Sequence, residues 1–355
     1  MMIPAAVNLG INIRVLAETV GESAQLAATI GDFRDPETVL QFAKTVDVVT
    51  FDHEHVPLPV LSALVAAGVR VHPSPEALVF AQNKLAMRER LGGLGLPMPD
   101  WARIETPADL DEFLSDHGGR AVVKTATGGY DGKGVRVVSS PEDIADWFVP
   151  GGALVAEELV DFRRELAQLI ARRPSGEMVL WPVVESIQRN GVCAEVIAPA
   201  PNSAGRIADL AGDIASSIAE SLNVTGVLAV ELFETTDERI LINELAMRPH
   251  NTGHWSIDGS TTSQFEQHLR AVLDLPLGAT GSRDRWSVMV NVLGGPESGA
   301  LSDRYMRAFA DQPTVKVHNY GKVSRPGRKV GHVTAGGDEL DEVVYLARAA
   351  AAHFD

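Results

Sequence analysis

The chain has 355 residues, 45% of them hydrophobic and 22% charged, so it can bury more than one core and is neither a disordered nor a fibrous protein. A formal net charge of -16 at pH 7 excludes nucleic acid as the expected partner, because a phosphate backbone needs a contiguous basic face. A single cysteine, Cys193, excludes an internal disulfide, and no run approaches the ~18 apolar residues of a membrane helix.

The opening MMIPAAVNLG carries neither a basic leader nor a small-residue cleavage site, so a cytoplasmic protein with no membrane partner is expected. Next, VDVVTF (46–51) reads as a buried strand, LPVLSALVAAG (58–68) as a helix and VRVHP (69–73) as a second strand, the rhythm of a parallel sheet. Apolar residues at helical spacing predict one helix over 76–91, followed by GGLGLPMP (92–99), a hinge by composition. Thr106, Pro107 and Asp109 mark the next helix start.

From there the pattern is mainly strands: GRAVVKT, VRVVSS, ALVAEELV, RELAQLIARR, EMVLWPVV, GVLAVELFE and ERILINEL, interrupted by a long helix over 204–222. RWSVMVNVLGG (285–295) opens a last group of strands, closed by the amphipathic helix ELDEVVYLARAAAAHF (339–354). The expected fold class is therefore mixed, α/β at the front and α+β behind, and Cys193 is expected on a buried strand.

The segment TATGGYDGKGV (125–135) lies between two strands and is not a Walker loop, since Lys133 is followed by Gly134 and then by strand. Such a loop serves either as a hairpin turn or as a lid whose N–H groups face nucleotide phosphates. Lys124 ends the strand before it, and Lys84 lies in AQNK; either is a surface lysine or a phosphate partner. In VLAVELFETTDERILINELAM a short polar turn sets Glu231 opposite Glu244 across a hairpin. Both acids interrupt apolar runs, so they either face solvent or grip a cation such as Mg²⁺, with Asn243 as a further oxygen donor.

The loop AMRPHNTGHW holds His250 and His254, but Pro249 and Gly253 disfavour a helix there and no third zinc ligand is near in sequence. It suits hydrogen bonding to a polar substrate, as do His53, Glu54 and His55 beyond the end of a strand. Lys316, Lys322, Arg325, Arg328 and Lys329 form a basic island without acids, either a solvated loop or a seat for a small anion.

In order, VVTFDHEHVP, AQNK, VVKTATGGYDGKG, INELAMRPHNTGHW and RPGRKVGH resemble the successive signatures of the N5-carboxyaminoimidazole ribonucleotide synthetases, ATP-grasp ligases of purine biosynthesis. The resemblance implies an ATP-grasp fold in three parts: a Rossmann-like domain over 1–78, an ATP-grasp domain over 79–278 and a small β-rich C-terminal domain over 279–355. It also implies a homodimer that carboxylates 5-aminoimidazole ribonucleotide with bicarbonate at the expense of ATP.

By the same resemblance ATP is held by Lys84, Lys124, Gly129, Tyr130, Asp131, Gly132, Lys133, Gly134, Val135, Glu157, Glu158, Leu159, Val160, Glu165, Gln188, Asn243 and Glu244, with magnesium on Glu231 and Glu244. Catalytic roles fall to Tyr130, Asp131, Lys133, Lys329 and Glu54, and substrate binding to Arg248, His250, Asn251, His254, Lys322, Arg325, Arg328 and Lys329. Two departures stand out. Relatives open with a strand and a loop of the kind GGGQLARM, so the N-terminus is expected to lack about one strand and turn; and Gln188 replaces a histidine common in the family. Two rival readings are a formate-dependent glycinamide ribonucleotide transformylase, against which RPGRKVGH counts, and a nucleotide-binding module without turnover.

Overall fold

The structure is a computed structural model that describes every residue except Gly21, Glu22, Ser23, Gln25, Tyr130, Asp131 and Asp355. At the N-terminus, α1 (Met2–Asn8) leads to β1 (Val15–Ala17) and β2 (Ala28–Ile30), which pair in parallel. Asp35 then caps α2 (Pro36–Ala43), accepting from the N–H groups of Glu37 and Thr38. The expected parallel rhythm follows as β3 (Val49–Thr50), α3 (Leu58–Ala66) and β4 (Val71–His72), with Val49 opposite Val71. Val60, Leu61 and Leu64 of α3 are almost fully buried, the apolar stripe that seats this unit on the rest of the molecule.

The single helix expected over 76–91 is two, α4 (Pro75–Gln82) and α5 (Lys84–Gly93). Asn83 separates them in extended conformation and caps α5, its Oδ1 accepting from Ala86 N–H at 3.1 Å. The Lys84 N–H donates to Ala126 O at 2.8 Å instead of continuing the first helix. Helical spacing ran through the break because an N-cap asparagine costs no apolar position. Nor is 92–99 only a hinge, because Pro97 O accepts from the Ile242 N–H at 2.9 Å.

A small antiparallel sheet follows, in the order β5 (Trp101–Ile104), β8 (Leu154–Glu158), β6 (Ala121–Thr125), β7 (Val135–Val138). Its helix α6 (Pro107–Asp116) starts at the expected cap, a reciprocal capping box between Thr106 and Asp109.

The second sheet has nine strands. Their ranges are β9 (Phe162–Arg172), β10 (Met178–Leu180), β11 (Val184–Arg189), β12 (Val192–Ala198), β13 (Gly226–Thr235), β14 (Ile240–Ala246), β15 (Trp286–Leu293), β16 (Lys316–Asn319) and β17 (Lys329–Gly337). They pair antiparallel in the order β14-β13-β9-β11-β12-β15-β17-β16, with β10 on β9. EMVLWPVV, expected as one strand, holds the whole of β10 and the first residue of β11, split around Pro182, which has no N–H for a ladder. Helix α7 (Arg206–Ser221) packs Ile214 and Ile218 with Leu228 and Val230 of β13 and with Leu61 and Leu64 in the largest core.

Short α8 (Ser256–Gly259), α9 (Gln264–Val272) and α10 (Tyr305–Asp311) complete the body, and α11 (Leu340–Ala351) covers β15 and β17 over a second core containing Val288, Val333 and Ala347. The last strands join the same sheet rather than a separate one, through the β12–β15 ladder that sets Glu195 opposite Val290. Among the described residues no helix is long and apolar enough to cross a membrane.

Candidate active site

A cleft of about 790 Å³ lies between the two sheets and is closed at one end by 53–58. On its floor Glu231 of β13 and Glu244 of β14 are direct register partners, as the hairpin pattern predicted. The pairing then jumps to Leu232 opposite Ile242, which leaves Asn243 as the extra residue of a β-bulge. Consecutive residues of a regular strand face opposite sides, yet Asn243 and Glu244 both line the cleft.

Cations surround the acids. Lys84, the first residue of α5, reaches Glu244 Oε1 at 2.5 Å. Lys124 donates to Asn243 Oδ1 at 2.9 Å and pairs with Glu157 Oε2 at 2.7 Å. Glu157 is almost wholly buried, and its Oε1 accepts from Arg88 Nε at 2.9 Å and Nη2 at 2.7 Å. Burial alone would push the Glu157 carboxyl up, but the Lys124 ammonium and the Arg88 guanidinium outweigh it and hold it below the ordinary carboxylate range.

The acids left toward the cleft behave oppositely. Burial, then the neighbouring Glu244 and Glu165 charges, push Glu231 up to about 8. Burial pushes Glu165 up to about 7, against the pull of Lys124. Two facing carboxylates and an amide oxygen on one wall offer the oxygen donors of a hard divalent cation that takes further oxygens from a bound phosphate. Among the described residues no group of three or more His, Cys, Asp or Glu is placed to hold a metal ion.

The glycine segment lies over the cleft, with Gly129, Gly132, Lys133 and Val135 in its wall. Gly134 has φ +71° and a Cβ there would sit 2.5 Å from Thr125 Oγ1, so the turn accepts no side chain; it backs the loop without reaching the wall. Gly132, at φ +76°, lies against the β11–β12 turn, where a Cβ on Gly191 would come within 3.3 Å of Gly132 Cα. Sequence reading passed over that hairpin, although its Asn190-Gly191 pair, both at positive φ, is a strong two-residue turn signal. Tyr130 and Asp131 lie outside the described residues.

Glu158, Leu159 and Val160, expected at the ATP site, line one end beside Val122, and Phe162 stacks on Phe233 at 4.8 Å, a flat apolar slot whose two phenylalanines sequence reading missed. At the other end Glu54 accepts from the Met247 N–H at 2.8 Å and from Arg248 Nε at 3.0 Å, so it holds the loop that carries Arg248. His250 lies 3.7 Å from Glu231 through Nε2, and burial, then Arg248 and Lys329, keep its ring well below the ordinary histidine range and neutral. Asn251 exchanges hydrogen bonds with Asn291, whose amide also donates to Cys193 O at 2.9 Å. Lys329 at the start of β17, Gln188 and Cys193 complete this wall. Cys193 is on a buried strand as expected, with its thiol pushed up to about 11 by burial.

Four of the expected substrate contacts do not reach the cleft wall. His254 is buried behind it, its Nδ1 2.8 Å from Gln264 Nε2 and its ring 5.3 Å from that of His332, because the 251–253 turn carries it inward. Lys322 lies over the Tyr320 ring, Arg328 donates to Val323 O and the Arg325 backbone N–H donates to Gly294 O; of the basic island only Lys329 lines the cleft.

Two sheets enclosing a cleft, with a glycine loop above and an acid pair below, define an ATP-grasp enzyme. Three family models agree: an ATP-grasp domain matches residues 89–265, a ribonucleotide synthetase preATP-grasp domain residues 1–82, and a phosphoribosylaminoimidazole carboxylase C-terminal domain residues 287–345. The chain is 48% identical to an N5-carboxyaminoimidazole ribonucleotide synthase of Mycobacterium bovis, over 98% of this chain and 83% of that protein. It is 47% identical to the one from Corynebacterium ammoniagenes, over 99% and 88%. Among solved structures, the Aspergillus clavatus N5-carboxyaminoimidazole synthase in complex with ADP and 5-aminoimidazole ribonucleotide superposes with a TM-score of 0.89 at 31% identity, over 99% of this chain and 94% of that one. The chain therefore belongs to the N5-carboxyaminoimidazole ribonucleotide synthase family, and it is an ATP-dependent ligase.

Proposed function

We propose that this cleft joins bicarbonate to the amine of 5-aminoimidazole ribonucleotide, using ATP and giving the N5-carboxy product, ADP and phosphate. The observation that carries the reading is the bulged acid pair Glu231/Glu244, with Lys84 and Lys124 beside it and the glycine loop above. The base of ATP fits the slot of Phe162, Phe233 and Leu159, and its phosphates run toward Lys124, Lys84 and the loop N–H groups.

Glu231, Glu244 and Asn243 would hold Mg²⁺, which when bound supplies positive charge to the phosphates. Bicarbonate oxygen attacks the γ-phosphorus and ADP leaves, which gives carboxyphosphate. Lys84, Lys124 and loop N–H groups spread the charge that builds up on the way. Arg248, His250 and Asn251 border the small acid, and Lys329 faces the carboxylate as the amine attacks carbon, loses a proton and expels phosphate. We assign that proton to Asp131. The loop excludes water while carboxyphosphate persists. We further propose that the enzyme is a cytoplasmic homodimer and that Gln188 tunes nucleotide affinity.

The test is ADP release by the purified protein, with bicarbonate and aminoimidazole ribonucleotide set against formate and glycinamide ribonucleotide. Turnover with the first pair alone is expected; turnover with only the second would reassign the substrate.

A further inference from the structure

We infer that Arg88 is a positioning residue for the acid pair: its guanidinium holds the β14 bulge that turns Asn243 and Glu244 to the same side. The inference rests on the reading of that pair as a divalent-cation site. Arg88 is fully buried on α5 and does not itself line the cleft; it meets the wall from behind, through Glu157 and the Asn243 carbonyl. Its Nη1 donates to Ile242 O at 2.7 Å and its Nη2 to Asn243 O at 2.8 Å.

In a regular strand two successive carbonyls point to opposite sides. Here both meet one guanidinium, the mark of the bulge between Glu231 and Leu232. β14 is also the terminal strand of its sheet, so no further strand can receive these carbonyls, and water does not reach a side chain with 0% exposure. Arg88 takes the place of both, while Glu157 balances its charge and ties it to Lys124 and so to Asn243 Oδ1.

Without the fork the two carbonyls lose their partner, and a strand returning to regular register turns Glu244 away from Glu231, because side chains alternate with period two. Lysine keeps the charge but cannot span two carbonyls and a carboxylate at once. Sequence reading gave no hint of this role, since Arg88 reads there as one polar position on a helix.

The experiment compares wild type, Arg88→Lys and, as a control, Arg103→Lys, whose arginine pairs with Glu89 at the surface. ADP release is measured against Mg²⁺ concentration, and ADP affinity is measured separately in excess chelator. We expect Arg88→Lys to raise the half-saturating Mg²⁺ about tenfold or more, the size typical of losing support behind a metal ligand, with metal-free ADP affinity and the control unchanged.

An unchanged half-saturation in folded Arg88→Lys overturns the inference alone. So does an equal loss of metal-free ADP affinity, which marks general disruption. A wild type that needs no divalent cation removes the cation-site reading itself, and the inference with it. Should Arg88→Lys not fold, Arg88→Gln carries no buried charge and decides by the same two measurements.

Discussion

Glu231 shows how a single carboxyl reports on the site. With its value pushed up to about 8, the metal-free protein holds that proton at neutral pH. Cation binding at the proposed site would expel it, so we expect Mg²⁺ affinity to rise with pH up to about 8 and binding to release protons near neutrality. Calorimetry in two buffers of different ionisation enthalpy measures the release, and Glu231→Gln should abolish it. Equal heats in both buffers would show that Glu231 is already ionised.

His268 carries a dependence of the same sign, on stability. Its Nδ1 accepts from the Val227 N–H at 3.1 Å, so the proton sits on Nε2, 2.7 Å from Thr50 Oγ1, and the ring ties the N-terminal unit to β13. Burial, then His72, push it down to about 4 from 6.5. A depressed histidine stabilises the fold in its neutral form: the contribution is complete above pH 6.5 and is lost as pH falls through about 4. The loss amounts to about 3 kcal/mol, and urea unfolding of wild type against His268→Gln at pH 7 and pH 5 should show the gap narrowing in acid.

Between elements, the decisive contact is that of the glycine loop with the β11–β12 turn. Gly191 is at φ +73° with Gly132 Cα in its path, so Gly191→Ala meets both backbone strain and a close approach. The expected cost is about 1–2 kcal/mol of stability together with a fall in kcat that exceeds any rise in KM for ATP, because closure rather than nucleotide contact is impaired. Steady-state kinetics with a thermal melt separates the two. A normal kcat would mean that the loop closes without that turn.

Over the whole molecule, the continuous nine-stranded sheet makes the C-terminal strands part of the site's foundation. Its lateral staple is Arg348 of α11, which donates to both oxygens of Glu195, a carboxylate with 0% exposure on β12. Arg348→Ala leaves that buried charge with only Arg189, at 4.0 Å, and we expect a loss on the order of 2–3 kcal/mol, moderated by that second arginine and because Arg348 itself is half exposed. Urea unfolding measures it. The double change with Glu195→Gln should recover most of the loss, and no recovery would place the damage elsewhere.

Order along the chain was enough to reveal many of the strands, the Thr106 cap, the Glu231–Glu244 pairing and the family, because each depends on local propensity or on spacing along the chain. The fork of Arg88, the stacked Phe162 and Phe233, the inward turn of His254 and the place of Lys329 alone of its basic island on the cleft wall were decided only by tertiary structure. Each depends on which buried group lies across from it, from elements as far as 155 residues apart in the case of Arg88 and Asn243. A side chain's spacing in sequence records its own element's period, whereas its role follows from the partner that the packed fold sets against it.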